Sequence, residues 1–182
     1  MLQQLATMAQ PMLDHPLVRR TRRNHGLEHA TIHILSGRIK GLHMAGRSTD
    51  GGFVLLGEAP TDMIEQAVAD ALRRMSNGEH HLALHPNCGT NLVTTGFMTS
   101  IVGLVGLSGA TRREAFNRLP AVMLLMMLAL LVSQPLGMGL QKHFTTLGDP
   151  GDLEIISITR AQVNTPLGRQ PMTVHRVVTR SS

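Results

Sequence analysis

A chain of 182 residues has room for one domain with a substantial core. Its net charge of +5 calls for anionic partners, while four Phe and no Trp or Tyr exclude the aromatic platform usual for single-stranded nucleic acid. One cysteine excludes an internal disulfide framework, which suits a reducing compartment.

Residues 1–15 read as a loose leader, because "MLQQLATMAQPML" is too short and too polar for a cleavable signal peptide. Pro16 after Asp14-His15 starts a helix and Ser36-Gly37 stops it, which predicts a first helix over 16–35. "RIKGLHMAGRS" (38–48) and "GGFVLLGEA" (51–59) predict two strands of a hairpin, with "GRSTDGG" as its turn region. A second helix over 60–77 takes Thr61 as its cap, Ile64, Ala67, Val68, Ala71, Leu72 and Met75 as its apolar stripe, and Asn77-Gly78 as its stop. "HHLALHP" alternates as a short strand would, and "NCGTN" (87–91) is a polar turn.

Two runs without Asp, Glu, Lys or Arg follow, "NLVTTGFMTSIVGLVGLSGAT" (91–111) and "LPAVMLLMMLALLVSQPLGMGLQ" (119–141), with "RREAFNR" as the turn between them. Each exceeds the roughly 18–20 apolar residues that a spanning helix needs, so the pair predicts a transmembrane hairpin. "GDPGD" (148–152) is a loop, and "LEIISITRAQV" and "MTVHRVVTR" predict strands that return to the first sheet. The fold class is α+β: a small α/β sandwich-like domain of order α-β-β-α-β…β-β, made of 16–90 and 142–182, with the hairpin 91–141 inserted. Basic residues flank both ends of the spans in similar number, Arg73, Arg74, Lys142 and Arg160 against Arg112, Arg113 and Arg118, and so do not set an orientation. The expected setting is the bacterial inner membrane with the soluble parts in the cytoplasm.

The chemistry concentrates in "RRTRRNHGLEHATIHIL" (19–35). At about 100° per residue, with Leu27 at zero, Ala30, Thr31, Ile34 and Leu35 share its face; His25 and His29 fall near 160° and 200° on the opposite side, flanked by Glu28 and His33. Imidazoles at i and i+4 can share one ion while the apolar ridge packs on the sheet. A carboxylate at i+3 can take a proton from water on that ion. Arg19, Arg20, Arg22 and Arg23 are candidates for contact with anionic lipid headgroups.

The spelling His25-x-x-Glu28-His29 resembles the inverzincin, or pitrilysin-type, metallopeptidases. The resemblance implies His25 and His29 as zinc ligands and Glu28 as general base. Their third ligand is a downstream glutamate, for which Glu58, Glu65 and Glu79 are poor matches here. "HPNCGTN" offers His85 and Cys88 instead, with Asn87, Asn91 and His33 placed to hydrogen-bond to ligands. Three ligands plus water make an open, catalytic site; His85 and Cys88 together would close it into a structural one. The pattern "RRNHGLEHA", "AGRSTDGGF", "HPNCGTN" and two spans also resembles an uncharacterised family of small bacterial membrane proteins.

The expected function is therefore a membrane-embedded zinc hydrolase acting on a peptide, or next a lipid, near the bilayer. One alternative is a non-catalytic membrane metal-binding or complex-assembly protein. Another is a thiol hydrolase or acyltransferase using Cys88 at a helix N-terminus that lowers its pKa, with His85 or a histidine of the first helix as base and Asn87 or Asn91 orienting that base. No specific nucleic acid is expected, and the chain is compatible with a homo-oligomer. His15, His80, His81, His143 and His175 read as histidines without partners in the site.

Overall fold

The computed structural model describes residues 1–164 and 171–182. Two compact units make up the chain: Met1–His85 with Lys142–Ser182, and Pro86–Gln141.

The first unit begins with two short helices, α1 (Leu2–Met8) and α2 (Gln10–Leu13), where the sequence had suggested a loose leader. Helix α3 (Pro16–Arg38) runs through Gly37 and ends only at Ile39, whose N–H bonds the Leu35 carbonyl. Gly37 does not take the positive φ of a glycine stop, and an ion pair from Arg38 to Asp70, 2.8 Å, ties the last turn to the next helix. The predicted strand over 38–48 is correspondingly short: β1 is Ala45–Thr49 and pairs with β2 (Gly52–Leu56) across the two-residue turn Asp50-Gly51. Gly52 sits at φ 137°, a conformation costly for any residue with a side chain.

Helix α4 (Thr61–Ser76) presents Ile64, Ala67, Val68, Ala71 and Met75, all with 0% exposure, to the core. Its N-cap is Pro60 and no side chain caps it; the Thr61 hydroxyl instead lies 3.2 Å from the Nε2 of His175. The run 80–86 forms no strand. His80–Ala83 is a 3-10 helix that buries adjacent Leu82 and Ala83 together, which the alternation of a strand does not permit. Strands β3 (Glu154–Val163) and β4 (Met172–Arg180) complete an antiparallel sheet of order β1-β2-β4-β3. Phe53 and Leu55 of β2 and Val177 of β4 pack with Leu27, Ala30, Ile34 and Leu35 of α3 and the stripe of α4 in one core. The fold is α+β, with the helices over one face of the sheet.

The second unit is a pair of helices, α5 (Gly89–Leu107) and α6 (Arg112–Leu140). "RREAFNR" is not the turn: Thr111 and Glu114 form a reciprocal capping box, so α6 starts at Arg112 and residues 108–111 make the link. Both helices are long and apolar enough to cross a membrane. A soluble core helix of that composition would be mostly buried, whereas only 11% and 17% of the apolar windows are buried. Between the helices, Thr95 and Ser133 share a hydroxyl hydrogen bond of 2.7 Å and Gly137 makes room for Asn91.

Candidate metal centre

Helix α3 carries the cluster and is buried around its whole circumference from Gly26 to Ile32. The side opposite the apolar ridge is thus not an open face: the histidines do point away from the sheet, but onto the segments around 83 and 145. Leu27, Ala30, Ile34 and Leu35 fill the core as the periodicity requires. The other side is covered too. Glu28 turns towards β1, and His29 turns towards the 3-10 helix.

Gly26 is the reason these pieces close on α3. A Cβ there would run into the Leu147 carbonyl oxygen and approach the Ala83 Cβ to 3.3 Å. With that space open, Leu147 N–H reaches the Arg22 carbonyl at 2.9 Å, and the segments around 145 and 83 bring backbone acceptors beside the histidines. His25 Nδ1 lies 2.9 Å from the Thr145 carbonyl and His29 Nδ1 lies 2.8 Å from the Ala83 carbonyl. A carbonyl oxygen can only accept, so each Nδ1 carries the hydrogen and each ring's lone pair is on Nε2. That is the tautomer in which imidazoles bind metals through Nε2, oriented by a carbonyl behind them. The two ring centroids are 4.3 Å apart, and that of His85 is 5.9 Å from His29.

His85 is half-buried. Burial, and then the electrostatic effect of His29 and His33, push its pKa below the ordinary histidine value, which favours the neutral imidazole. His33 is exposed at the edge of the cluster.

Glu28 is buried, and the burial raises its carboxyl above the usual carboxylate range; the hydrogen bond from the Ser48 hydroxyl and the electrostatic effect of His25 act in the opposite direction. Ser48 Oγ donates to Glu28 Oε2. The other carboxylate oxygen lies over Gly46, where any Cβ would collide with it. Ser48 and Gly46 were not singled out from the sequence; the stretch "GRSTDGG" that holds them reads only as the turn region of a hairpin.

The remaining candidates have their own places. Cys88 is the buried N-cap of α5 in the second unit, its Sγ accepting from Thr90 N–H at 3.4 Å. Asn87 is exposed, and Asn91 is buried and donates to the Pro86 carbonyl at 2.6 Å. Glu79 forms a two-point pair with Arg74, Glu58 is 4.0 Å from Arg160, and Glu65 is exposed. Arg22 is 8% exposed and donates to the carbonyls of His143 and Thr146; Arg23 pairs with Asp152 at 2.7 Å. Those two arginines are therefore engaged within the fold, contrary to a shared headgroup role for all four. Arg19 and Arg20 make no ion pair among the described residues. His175, read as lacking partners, is fully buried against Thr61.

No solved structure matches the chain. It is similar to an uncharacterised protein of Picosynechococcus sp., 30% identical over 138 residues, which are 69% of this chain and 65% of that protein. The match thus spans less than two thirds of the relative's length. The profile of one family covers residues 20–158, from the arginine run through the histidine cluster and both apolar helices into β3, and the chain belongs to that family, the domain of unknown function DUF6391.

Proposed function

We propose that the chain is a zinc-dependent hydrolase embedded in the bacterial cytoplasmic membrane, cleaving a peptide close to the bilayer surface from the cytoplasmic side. The observation that carries the proposal is the pair His25 and His29, rings 4.3 Å apart, each with Nδ1 on a backbone carbonyl and its lone pair on Nε2. His85 is the third ligand, and Cys88, three residues further along the chain, is the alternative raised by the sequence. A zinc ion held by these residues would supply a polarised, readily deprotonated water. Glu28, held by Ser48 in a buried site that raises its proton affinity, is the residue that would take a proton from the attacking water and give it to the leaving amine. The exposed apolar surface of α5 and α6 supports the membrane setting.

Metal analysis of the detergent-purified protein tests this. About one equivalent of zinc is expected in the wild type, lost in His25→Ala and His29→Ala but kept in Glu28→Gln. Hydrolysis of a quenched-fluorescence peptide library should vanish with chelator and in Glu28→Gln. Zinc lost from His85→Ala or from Cys88→Ser identifies the third ligand. Bound zinc without turnover of peptide or lipid in any sample would make the chain a metal-binding or assembly protein. Turnover that survives chelation and disappears in Cys88→Ser would mean thiol chemistry.

A further inference from the structure

The residues before Pro16 form a surface that the proposed hydrolase does not use. Helices α1 and α2 are joined at Ala9, itself in the right-handed helical region, so residues 2–13 are close to one continuous helix. At about 100° per residue, with Met1 at zero, Leu2, Ala6, Ala9 and Leu13 fall between roughly 80° and 140°. These are the inward-facing positions: Ala6 and Leu13 are buried and Leu2 and Ala9 half-buried. Met1, Leu5, Met8 and Met12 fall between roughly −20° and 40°, and Gln3, Gln4, Thr7 and Gln10 occupy the arc from about 180° to 300°. The apolar arc is thus more than twice as wide as the part the fold covers. Leu5, Met8 and Met12 are left 48%, 80% and 60% exposed.

We infer that residues 2–13 are an interfacial membrane anchor, laying the Leu5–Met8–Met12 stripe into the acyl boundary of an anionic bilayer. Charge complementarity selects a bilayer over a second protein copy. Residues 1–13 carry no charged side chain, Asp14 at the end of α2 accepts from Gln10, and Arg19 and Arg20, within the first turns of α3, are the two arginines of the run with neither an ion pair nor a carbonyl hydrogen bond among the described residues. Connectivity supplies the second argument, and it rests on the membrane reading of the proposed function. Two spans return the chain to the side it left, so residues 1–85 and 142–182 all stay on one side, tethered at both 85 and 142 to the bilayer. A helix held there needs little further affinity to settle into the interface.

The absence of Trp from the sequence makes one introduced Trp an unambiguous probe. Full-length Met8→Trp, Gln4→Trp and Val105→Trp are reconstituted in phosphatidylcholine vesicles with and without phosphatidylglycerol, using lipids brominated near the headgroup end or the middle of the acyl chain. The shallow bromines should quench Met8→Trp about two-fold or more, as for a helix about 5–10 Å into the boundary, and leave Gln4→Trp nearly unchanged. Val105→Trp, on the exposed face of α5, should be quenched by one set or the other. Quenching of Val105→Trp without Met8→Trp would overturn the anchor and leave the spans standing. An unquenched Val105→Trp would overturn the membrane reading and the anchor with it. A Met8→Trp shielded from both bromine and aqueous acrylamide would mean a protein partner covers the stripe, which also overturns it. Equal quenching with and without phosphatidylglycerol would overturn the part assigned to Arg19 and Arg20.

Discussion

In the α+β unit, Leu27, Leu35, Leu55 and Ile64 have no exposed surface, and even Glu28 and His29 are almost wholly covered. In the helical pair, Val93, Leu104 and Leu131 stand more than 70% exposed, while the buried positions include Asn91, Thr94 and Ser133. One unit buries apolar groups and arranges polar ones into a defined cluster; the other hides its polar groups and displays its apolar ones. The hydrophobic effect explains the first without further help. The second leaves long apolar side chains uncovered and joins its helices through small residues and hydroxyl pairs such as Thr95 with Ser133, as the membrane setting proposed above would require.

The comparison can be broken most directly by truncating a leucine in each unit. Leu35→Ala should cost about 2–5 kcal/mol in chemical denaturation of the full-length protein in detergent, whereas Leu104→Ala should cost less than about 0.5 kcal/mol. Comparable losses would mean that α5 is packed as a soluble helix. Leu128→Arg, on the exposed face of α6, should impose about 2.5–3.5 kcal/mol on membrane insertion, read by glycosylation mapping of the hairpin, and insertion equal to wild type would count against a span.

Within the α+β unit, Gly26→Ala should cost about 1–3 kcal/mol, because the new methyl displaces the Leu147 carbonyl and the 3-10 helix. It should also lower zinc content, since Thr145 and Ala83 orient the two imidazoles. Full zinc loading in a destabilised Gly26→Ala would show that these carbonyls do not position the rings. In the helical pair, Thr95→Val should cost only about 0.6 kcal/mol, measured by the shift in thermal unfolding in micelles.

The smallest expected effect is a pH dependence. Burial, followed by the nearby charge of Arg160, lowers the His175 pKa, with Glu58 acting weakly the other way. The folded state then binds fewer protons than the unfolded chain, so His175 removes stability as pH falls below the ordinary histidine value of about 6.5 and its effect levels off below the folded value. Denaturation midpoints of His175→Leu should therefore decline less than wild type between neutral and mildly acidic pH. Parallel declines would assign the dependence to other groups.

Local periodicity made much of this fold legible. The stripe Ile64, Ala67, Val68, Ala71 and Met75 and the strands containing Ile155 and Val177 could be read because each signal lies within one element. The i, i+4 spacing of His25 and His29 was equally local. What could not be read depended on partners far along the chain. Thr61 looks like a cap until β4 brings His175 to it across 114 positions, and Arg22 looks like a lipid contact until Thr146 arrives across 124. The burial of Glu28 against Gly46 and Ser48 was hidden for the same reason: a helical wheel says where a side chain points, and only the fold says what stands there.

The strand order has a consequence for biosynthesis. β4 lies between β2 and β3, so the hairpin of β1 and β2 keeps an open inner edge until residues 172–180 have been translated. Both membrane-length helices leave the ribosome before that edge can close. The histidine cluster waits for the same segments, since the Thr145 carbonyl behind His25 is also translated only after both apolar helices.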